Sequence, residues 1–496
     1  MNQTSIEHDF PSINKPKLIE QLLHILPSES VLYQEEDLRP YECDGLSAYH
    51  QLPLIVALPD SVEQVQSILR LCNEINLPVV ARGAGTGLSG GALPFEQGLL
   101  LSLAKLKNIL EIDKELRIAR VQPGVRNLAI SQAVDHLGLF YAPDPSSQIA
   151  CTIGGNVAEN SGGVHCLKYG LTVHNIRQLK IVTIEGELVT LGGNGLDSPG
   201  YDLLALLTGS EGLLGVIVEI TVKLLPKPSS IQVILAAFDD VVKAGAAVAN
   251  IISAGIIPAG LEMMDKMGIQ AAEDFVHVGY PTEAEAILIC ELDGTEQQVA
   301  SHVNAVRDIL NNSGATEVRI AKDQQEAVNF WKGRKNAFPA VGRISPDYYC
   351  MDGTIPRKSL PQVLKALAEM SKQYNLPVVN VFHAGDGNLH PLILYDAKIP
   401  GELERTEKLG GEILELCVEV GGTITGEHGV GMEKLNQMCV QFNDVELTQF
   451  HAVKAAFDPK GLLNPGKAIP TLHRCAEFGA MHVHQGKLSH PDLERF

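Results

Sequence analysis

The sequence predicts an α+β fold with a β-rich domain first and a mixed domain after it. Three observations lead there: a βαβ pattern opens at Leu54, glycine-rich stretches separate short apolar strands up to residue 228, and helices alternate with strands from about residue 230. The boundaries read as a polar, helical lead-in at 1–50, a first domain at 51–228, a second at 229–440 and a C-terminal segment at 441–496. A chain of 496 residues has room for such a division, at roughly 100–200 residues per domain.

Leu54–Ala57 reads as a short strand. Ser61 and Gln64 then predict a capping box, each satisfying an orphan amide at a helix start. Val65, Ile68, Leu69, Cys72 and Ile75 follow at helical spacing, and Pro78 is expected to stop that helix before the strand Val79–Ala81. Further strands are expected at Leu99–Leu103, Ile118–Gln122, Ile176–Thr183 and Val216–Leu224, with Pro226-Lys227-Pro228 as a linker. In the second domain, Asp240–Ala254 reads as a helix with acidic residues at its positive end and Gly255 at its close. Ala286–Leu292 reads as a strand ending at Asp293-Gly294.

A net charge of -20 argues against nucleic acid as a partner. The most apolar long stretch, Val241–Gly260, is interrupted by Lys243, Asn250 and Ser253, so it reads as a buried helix and not a membrane span. The first residues lack the apolar run of a signal peptide. Nine cysteines without a Cys-x-x-Cys pair exclude a written iron–sulfur or zinc-ribbon site and fit reduced thiols in the cytoplasm.

The first glycine-rich stretch is Arg82-Gly83-Ala84-Gly85-Thr86-Gly87-Leu88-Ser89-Gly90-Gly91. Backbone freed from side chains can turn successive amides toward an anion such as a pyrophosphate. Residues 85–90 fit G-x-G-x-x-G, yet a strand follows where a Rossmann site needs a helix. Taken alone, the string also fits a bare surface loop. The second stretch runs from Pro143, Asp144 and Ser147 through Thr152, Gly154, Gly155 and Asn156 to Gly162, Gly163, Tyr169 and Gly170. A third, Gly209-Ser210-Glu211-Gly212-Leu213-Leu214-Gly215-Val216-Ile217, turns into a strand. Three such loops in one domain point to a large, elongated cofactor.

Later, His383-Ala384-Gly385-Asp386-Gly387-Asn388-Leu389-His390 lies between two apolar runs and predicts strand, tight turn, strand with both imidazoles at the turn. Glycines frame Glu427-His428 in Thr425–Gly431. Two histidines and a glutamate make a facial set for a borderline divalent metal such as zinc, with positions left open for substrate. Each histidine by itself reads better as structural; two glycine-framed clusters in one domain favour a site. The tail histidines His473, His482, His484 and His490 read as an exposed or subunit-contacting segment.

Residues 40–228, through PVVARGAGTGLSGGALP, PDPSSQIACTIGGNVAENSGG and GSEGLLGVIVEITVKLLP, resemble the PCMH-type FAD-binding domain of the vanillyl-alcohol oxidase superfamily. The resemblance implies that Arg82–Gly91 hold the FAD pyrophosphate, that Pro143–Gly163 run beside the isoalloxazine and ribityl chain, and that Val216 and Ile217 lie near the adenine. Tyr169, Gly170, Glu211, Gly212, Gly215 and Asn464 fall within the same implied cofactor-binding set. Thr86 stands where some members carry a covalently attached histidine, which implies non-covalent FAD.

HAGDGNLH and GEHGVG resemble the C-terminal domain of the 2-hydroxy-acid dehydrogenase branch. That likeness implies His383, His390 and Glu427 as ligands of a divalent metal such as zinc, His428 as the base for the hydroxyl proton and Arg334 as the carboxylate binder. A solvated basic helix face is the plainer reading of Arg334. Cys350 and Leu392 depart from the dicarboxylate-oxidising members and argue for a smaller substrate.

The whole chain resembles the glycolate-oxidising flavoproteins of that branch, which implies glycolate to glyoxylate, with D-lactate to pyruvate as a second reaction. Stand-alone oxidation of D-lactate or D-2-hydroxyglutarate is the alternative. The same resemblance implies a second FAD-domain subunit and an iron–sulfur subunit as partners, and a cytoplasmic location with any membrane association made through them. A non-redox flavoenzyme of the ether-forming type and a non-catalytic flavin subunit are the rival readings.

Overall fold

The computed structural model describes residues 10–195, 200–471 and 475, so the tail histidines fall outside the described residues. The chain forms two compact units. Of the described residues, unit 1 comprises 10–161, 171–195, 200–226, 428–471 and 475, and unit 2 comprises 162–170 and 227–427.

Unit 1 contains two larger sheets and a two-stranded one that pairs Leu139–Phe140 with Leu225–Pro226. In the first, Val31–Leu32, Ile55–Ala57, Leu99–Ser102 and Val79–Arg82 lie side by side in that order. Ile55–Ala57 and Val79–Arg82 both run parallel to Leu99–Ser102. Its core joins the strand residues to Val65, Ile68, Leu69 and Cys72 of the helix Val62–Ile75, the apolar face that the spacing predicts. Ser61 caps that helix by accepting from the Gln64 amide, but the Gln64 side chain accepts from Asp60 N, one residue before the expected partner. The helix ends at Ile75, and Asn76, with φ at 54°, makes the stop expected of Pro78. A short polar side chain tolerates the left-handed backbone, so the exit is complete before the proline.

The second sheet orders Ile109–Asp113, Ile118–Val121, Val216–Lys223, Ile176–Val182 and Leu188–Gly192, all antiparallel. Residues from the end of the chain complete unit 1. Val79 N donates to Leu462 O and Asn464 N to Val79 O, both at 2.8 Å, so the C-terminal segment pairs along the strand Val79–Arg82.

Unit 2 is built on a seven-stranded sheet ordered Glu317–Ile320, Ser230–Phe238, Ala286–Gly294, Gly260–Asp265, Val378–Phe382, Pro391–Tyr395 and Asp347–Cys350. Every pairing is antiparallel, so the α+β class holds. The apolar stretch after Asp240 is a helix, Val241–Ser253, capped by the Asp240 side chain. Among the described residues no helix is long and apolar enough to cross a membrane. One expectation is corrected: Cys439 and Cys475 are joined as a disulfide, while Cys43, Cys72, Cys151, Cys166, Cys290, Cys350 and Cys417 are not disulfide-bonded. Spacing alone cannot show that cysteines 36 residues apart in sequence approach within 5.2 Å at Cα.

Candidate active site

The first glycine-rich stretch connects the parallel strands Val79–Arg82 and Leu99–Ser102 without a helix, so it is no Rossmann turn. Gly85 has φ at 69°, and a Cβ there would meet the Arg82 guanidinium at 2.2 Å. Arg82 therefore folds beneath its own loop, where Nη1 donates to the Cys43 carbonyl at 2.7 Å. Its guanidinium supports the loop from below. Burial lowers its pKa, against the pull of Asp44.

The second stretch contains a feature that turn chemistry alone does not predict. Ile153–Glu159, including Gly154, Gly155 and Asn156, is a helix opening after Thr152. Gly154 packs against Pro123, where a Cβ would come within 2.5 Å of the proline Cβ. Thr152 Oγ1 stands 2.3 Å from where a Cβ of Gly83 would sit, so the first two stretches meet. Asn156 is occupied by Asn127 and Ser161, and Asn127 also donates to the Pro143 carbonyl. Ser147 O accepts from Cys151 N, closing the turn after Pro143-Asp144-Pro145.

Glu211, with φ at 51°, accepts from the amides of Val430 and Gly431, both at 2.7 Å. Asn464 Nδ2 donates to the carbonyls of Gly91 and Glu211 at 3.0 and 2.7 Å. Gly215 is pressed against Ile181, and Val216 and Ile217 are buried in the strand that follows. Burial raises the Glu159 carboxyl well above its usual range, with Glu211 and Asp44 adding to the effect. Burial pushes Lys467 down to about 7, against Asp44, Glu211 and Glu159.

Three buried atoms in this region, Ser89 Oγ, Thr152 Oγ1 and Glu159 Oε2, have no hydrogen-bond partner among the described residues. Buried hydroxyls rarely go unpaired. A glycine-rich loop with two orphaned hydroxyls fits a polar, anionic ligand such as a nucleotide pyrophosphate. Gly162, Gly163, Tyr169 and Gly170 group with unit 2, where Tyr169 donates to the Asp293 carboxylate and Lys168 pairs with the same group.

In unit 2 the histidine motif is strand, turn, strand, as its pattern predicts: Val378–Phe382 pairs with Pro391–Tyr395, and His383 faces Asn388 across the turn. The two rings stand edge to face, 5.0 Å apart. Glu427 Oε1 lies 3.2 Å from His383 Nε2 and 2.9 Å from His390 Nε2. The three donor atoms fall within 4.8 Å of one another. Behind the rings, His383 Nδ1 meets Glu262 Oε1 at 2.7 Å and His390 Nδ1 meets the Met351 carbonyl at 3.3 Å. Each ring is thus held from Nδ1, leaving Nε2 turned toward the carboxylate. Such backing by a carboxylate or carbonyl is the usual support of a metal-binding imidazole. Asp352 fixes Glu427 by accepting from its amide, the Gly426 amide and the Thr425 hydroxyl.

Burial opposes charge on His383, yet Glu262 and Glu427 outweigh it and hold its pKa well above the ordinary value. Burial likewise opposes ionised Glu427, but hydrogen bonds from His383 and His390 keep its pKa well below the usual range.

Arg334 is 5% exposed, so the solvated-face reading does not hold. Its Nε and Nη2 both reach Glu262 Oε2, at 2.8 and 2.7 Å. Cys350 and Leu392, the two departures noted in the sequence, are cross-strand partners. His428, the neighbour of Glu427, is half-buried and begins the last stretch of unit 1. Sequence reasoning missed Glu262 and Asp352. A glutamate inside the apolar run Leu261–Met264 was the available signal for the first.

The FAD binding domain family matches residues 53–192, and the C-terminal domain of FAD linked oxidases matches residues 227–468. The chain is 66% identical to the glycolate oxidase subunit GlcD of Escherichia coli, covering 98% of this chain and 97% of that one. It is 32% identical to a D-lactate dehydrogenase of Anaerostipes hadrus, over 91% of this chain and 97% of the relative. The solved structure of p-cresol methylhydroxylase with substrate bound shares the fold at a TM-score of 0.76 and 19% identity, covering 92% and 97% of the two chains. The PCMH-type fold implied by the sequence is therefore the fold of this chain.

Proposed function

The chain belongs to the family of FAD-linked oxidases, and on that premise we propose that it oxidises a small 2-hydroxy acid, glycolate to glyoxylate first and D-lactate to pyruvate second. The observation that carries this reading is the convergence of two imidazole Nε2 atoms on one Glu427 oxygen, each ring held from behind. His383, His390 and Glu427 would hold a divalent metal, with zinc the best match to two nitrogens and an oxygen. FAD supplies the two-electron acceptor and the metal a Lewis acid that lowers the pKa of the substrate hydroxyl.

The residues of the chain do the rest. The glycine-rich loop with Ser89 and Thr152 binds the cofactor non-covalently. Arg334 binds the substrate carboxylate; a planar guanidinium matches that group, and its position in a buried, fixed network orients the acid. His428 accepts the hydroxyl proton as the general base. A bound flavin would supply the acceptor for the Cα hydrogen and its two electrons.

The relatives named as subunits support a multi-subunit assembly, and in the reading proposed here a second FAD-domain subunit and an iron–sulfur subunit would carry electrons onward. The test is an anaerobic flavin absorbance titration with glycolate, D-lactate, L-lactate and D-2-hydroxyglutarate. Bleaching by glycolate or D-lactate is expected. Bleaching by D-2-hydroxyglutarate alone moves the substrate to a dicarboxylate, and no bleaching by any acid removes the proposal.

A further inference from the structure

Glu262 sits in the middle of the strand Gly260–Asp265, is 1% exposed and lies 121 residues from His383 in sequence. A carboxylate in a sheet core costs far more than it returns unless both oxygens are paired. Here they are, and the partners differ. Oε1 meets His383 Nδ1, while Oε2 takes Nε and Nη2 of Arg334. Arg334 Nη1 makes no hydrogen bond among the described residues.

We propose that Glu262 is a positioning residue that sets the metal-binding imidazole with one oxygen and the carboxylate-binding guanidinium with the other. This rests on the function proposed above and deepens it. Because Oε1 requires a proton on Nδ1, it keeps the His383 Nε2 lone pair available to a cation. Because Oε2 holds two nitrogens of Arg334, it fixes the plane of the guanidinium and leaves Nη1 for the substrate. One carboxylate thereby ties metal affinity to substrate affinity, and a plain core ion pair would do neither.

Glu262→Gln keeps the shape but removes the charge. An amide NH2 turned to His383 favours the ring tautomer protonated at Nε2, where the metal must bind. Zinc affinity, measured by chelator competition on the flavin-loaded protein, is expected to fall about 10- to 100-fold. KM for glycolate is expected to rise about tenfold, the scale of losing a charge-assisted hydrogen bond. If wild-type protein binds no zinc, the metal reading itself fails. If wild type binds zinc and Glu262→Gln binds it equally with an unchanged KM, Glu262 is a core partner only and the inference is overturned. Glu262→Asp covers the case in which the glutamine variant does not fold. It keeps the buried charge but is one methylene too short to serve both partners, so zinc affinity or KM should move about tenfold; neither moving overturns the inference equally.

Discussion

The two sites are made of different material. The unit 1 cradle is mostly backbone: a loop between parallel strands, a glycine-bearing helix start and two orphaned hydroxyls. The unit 2 cluster is mostly side chain: two imidazoles and three carboxylates carried on or beside a seven-stranded sheet. A backbone site is lost by adding atoms, whereas a side-chain site is lost by removing them.

Four predictions press on that difference, in descending order of effect. His383→Ala combined with His390→Ala should abolish metal binding and lower turnover about a thousandfold, since Lewis-acid stabilisation amounts to several kcal/mol. Elemental analysis alongside steady-state kinetics checks this, and full activity in metal-free protein would rule the metal out. Next, His428→Ala should retain FAD but slow flavin reduction about a hundredfold, as read by anaerobic stopped flow. Unchanged reduction removes His428 from the chemistry.

The third prediction sets neighbouring glycines against each other. Gly154→Ala drives a Cβ to 2.5 Å from Pro123 and should destabilise unit 1 by about 1–3 kcal/mol, seen in denaturant melts. Gly155→Ala meets only Thr152 Oγ1, at 3.6 Å, and should fold normally yet lose FAD affinity if the cofactor lies on that helix start. Normal FAD content in folded Gly155→Ala protein would move the cofactor away from it.

The smallest effect concerns Lys467. Its folded pKa of about 7 lies below its ordinary 10.5, so unfolding takes up a proton between those values. Its buried charge weighs fully on stability below pH 7, and that burden lifts as pH climbs toward 10. Lys467→Met should flatten this rise in thermal melts of FAD-free protein at pH 7 and 9.

Legibility in the sequence follows the same division. The strand–turn–strand around His383 and His390 could be read because its information is local, as could the apolar face of Val62–Ile75. The absence of a Rossmann helix was readable from the strand after the loop. Glu262, Asp352 and the disulfide were not, since each acts across a long sequence separation. The departure of residues 162–170 into unit 2 was hidden by their place among the glycines of the first domain. For Arg334 the sequence offered both a carboxylate binder and a solvated face on a helix ending in Lys332, Arg334 and Lys335, and its buried acidic partner removes the second.

The latch at Asn464 has a consequence for synthesis on the ribosome. Its side chain binds Gly91 across 373 residues, and its neighbours pair with Val79. At about 5–20 residues per second, the first-made domain waits about 20–75 s for the segment that finishes its edge. Over that interval the strand Val79–Arg82 offers an open hydrogen-bonding edge, the kind that chaperones shield. Messages truncated before codon 464 would leave it open for good, and their products should be cleared or aggregate even though every cofactor loop has been made.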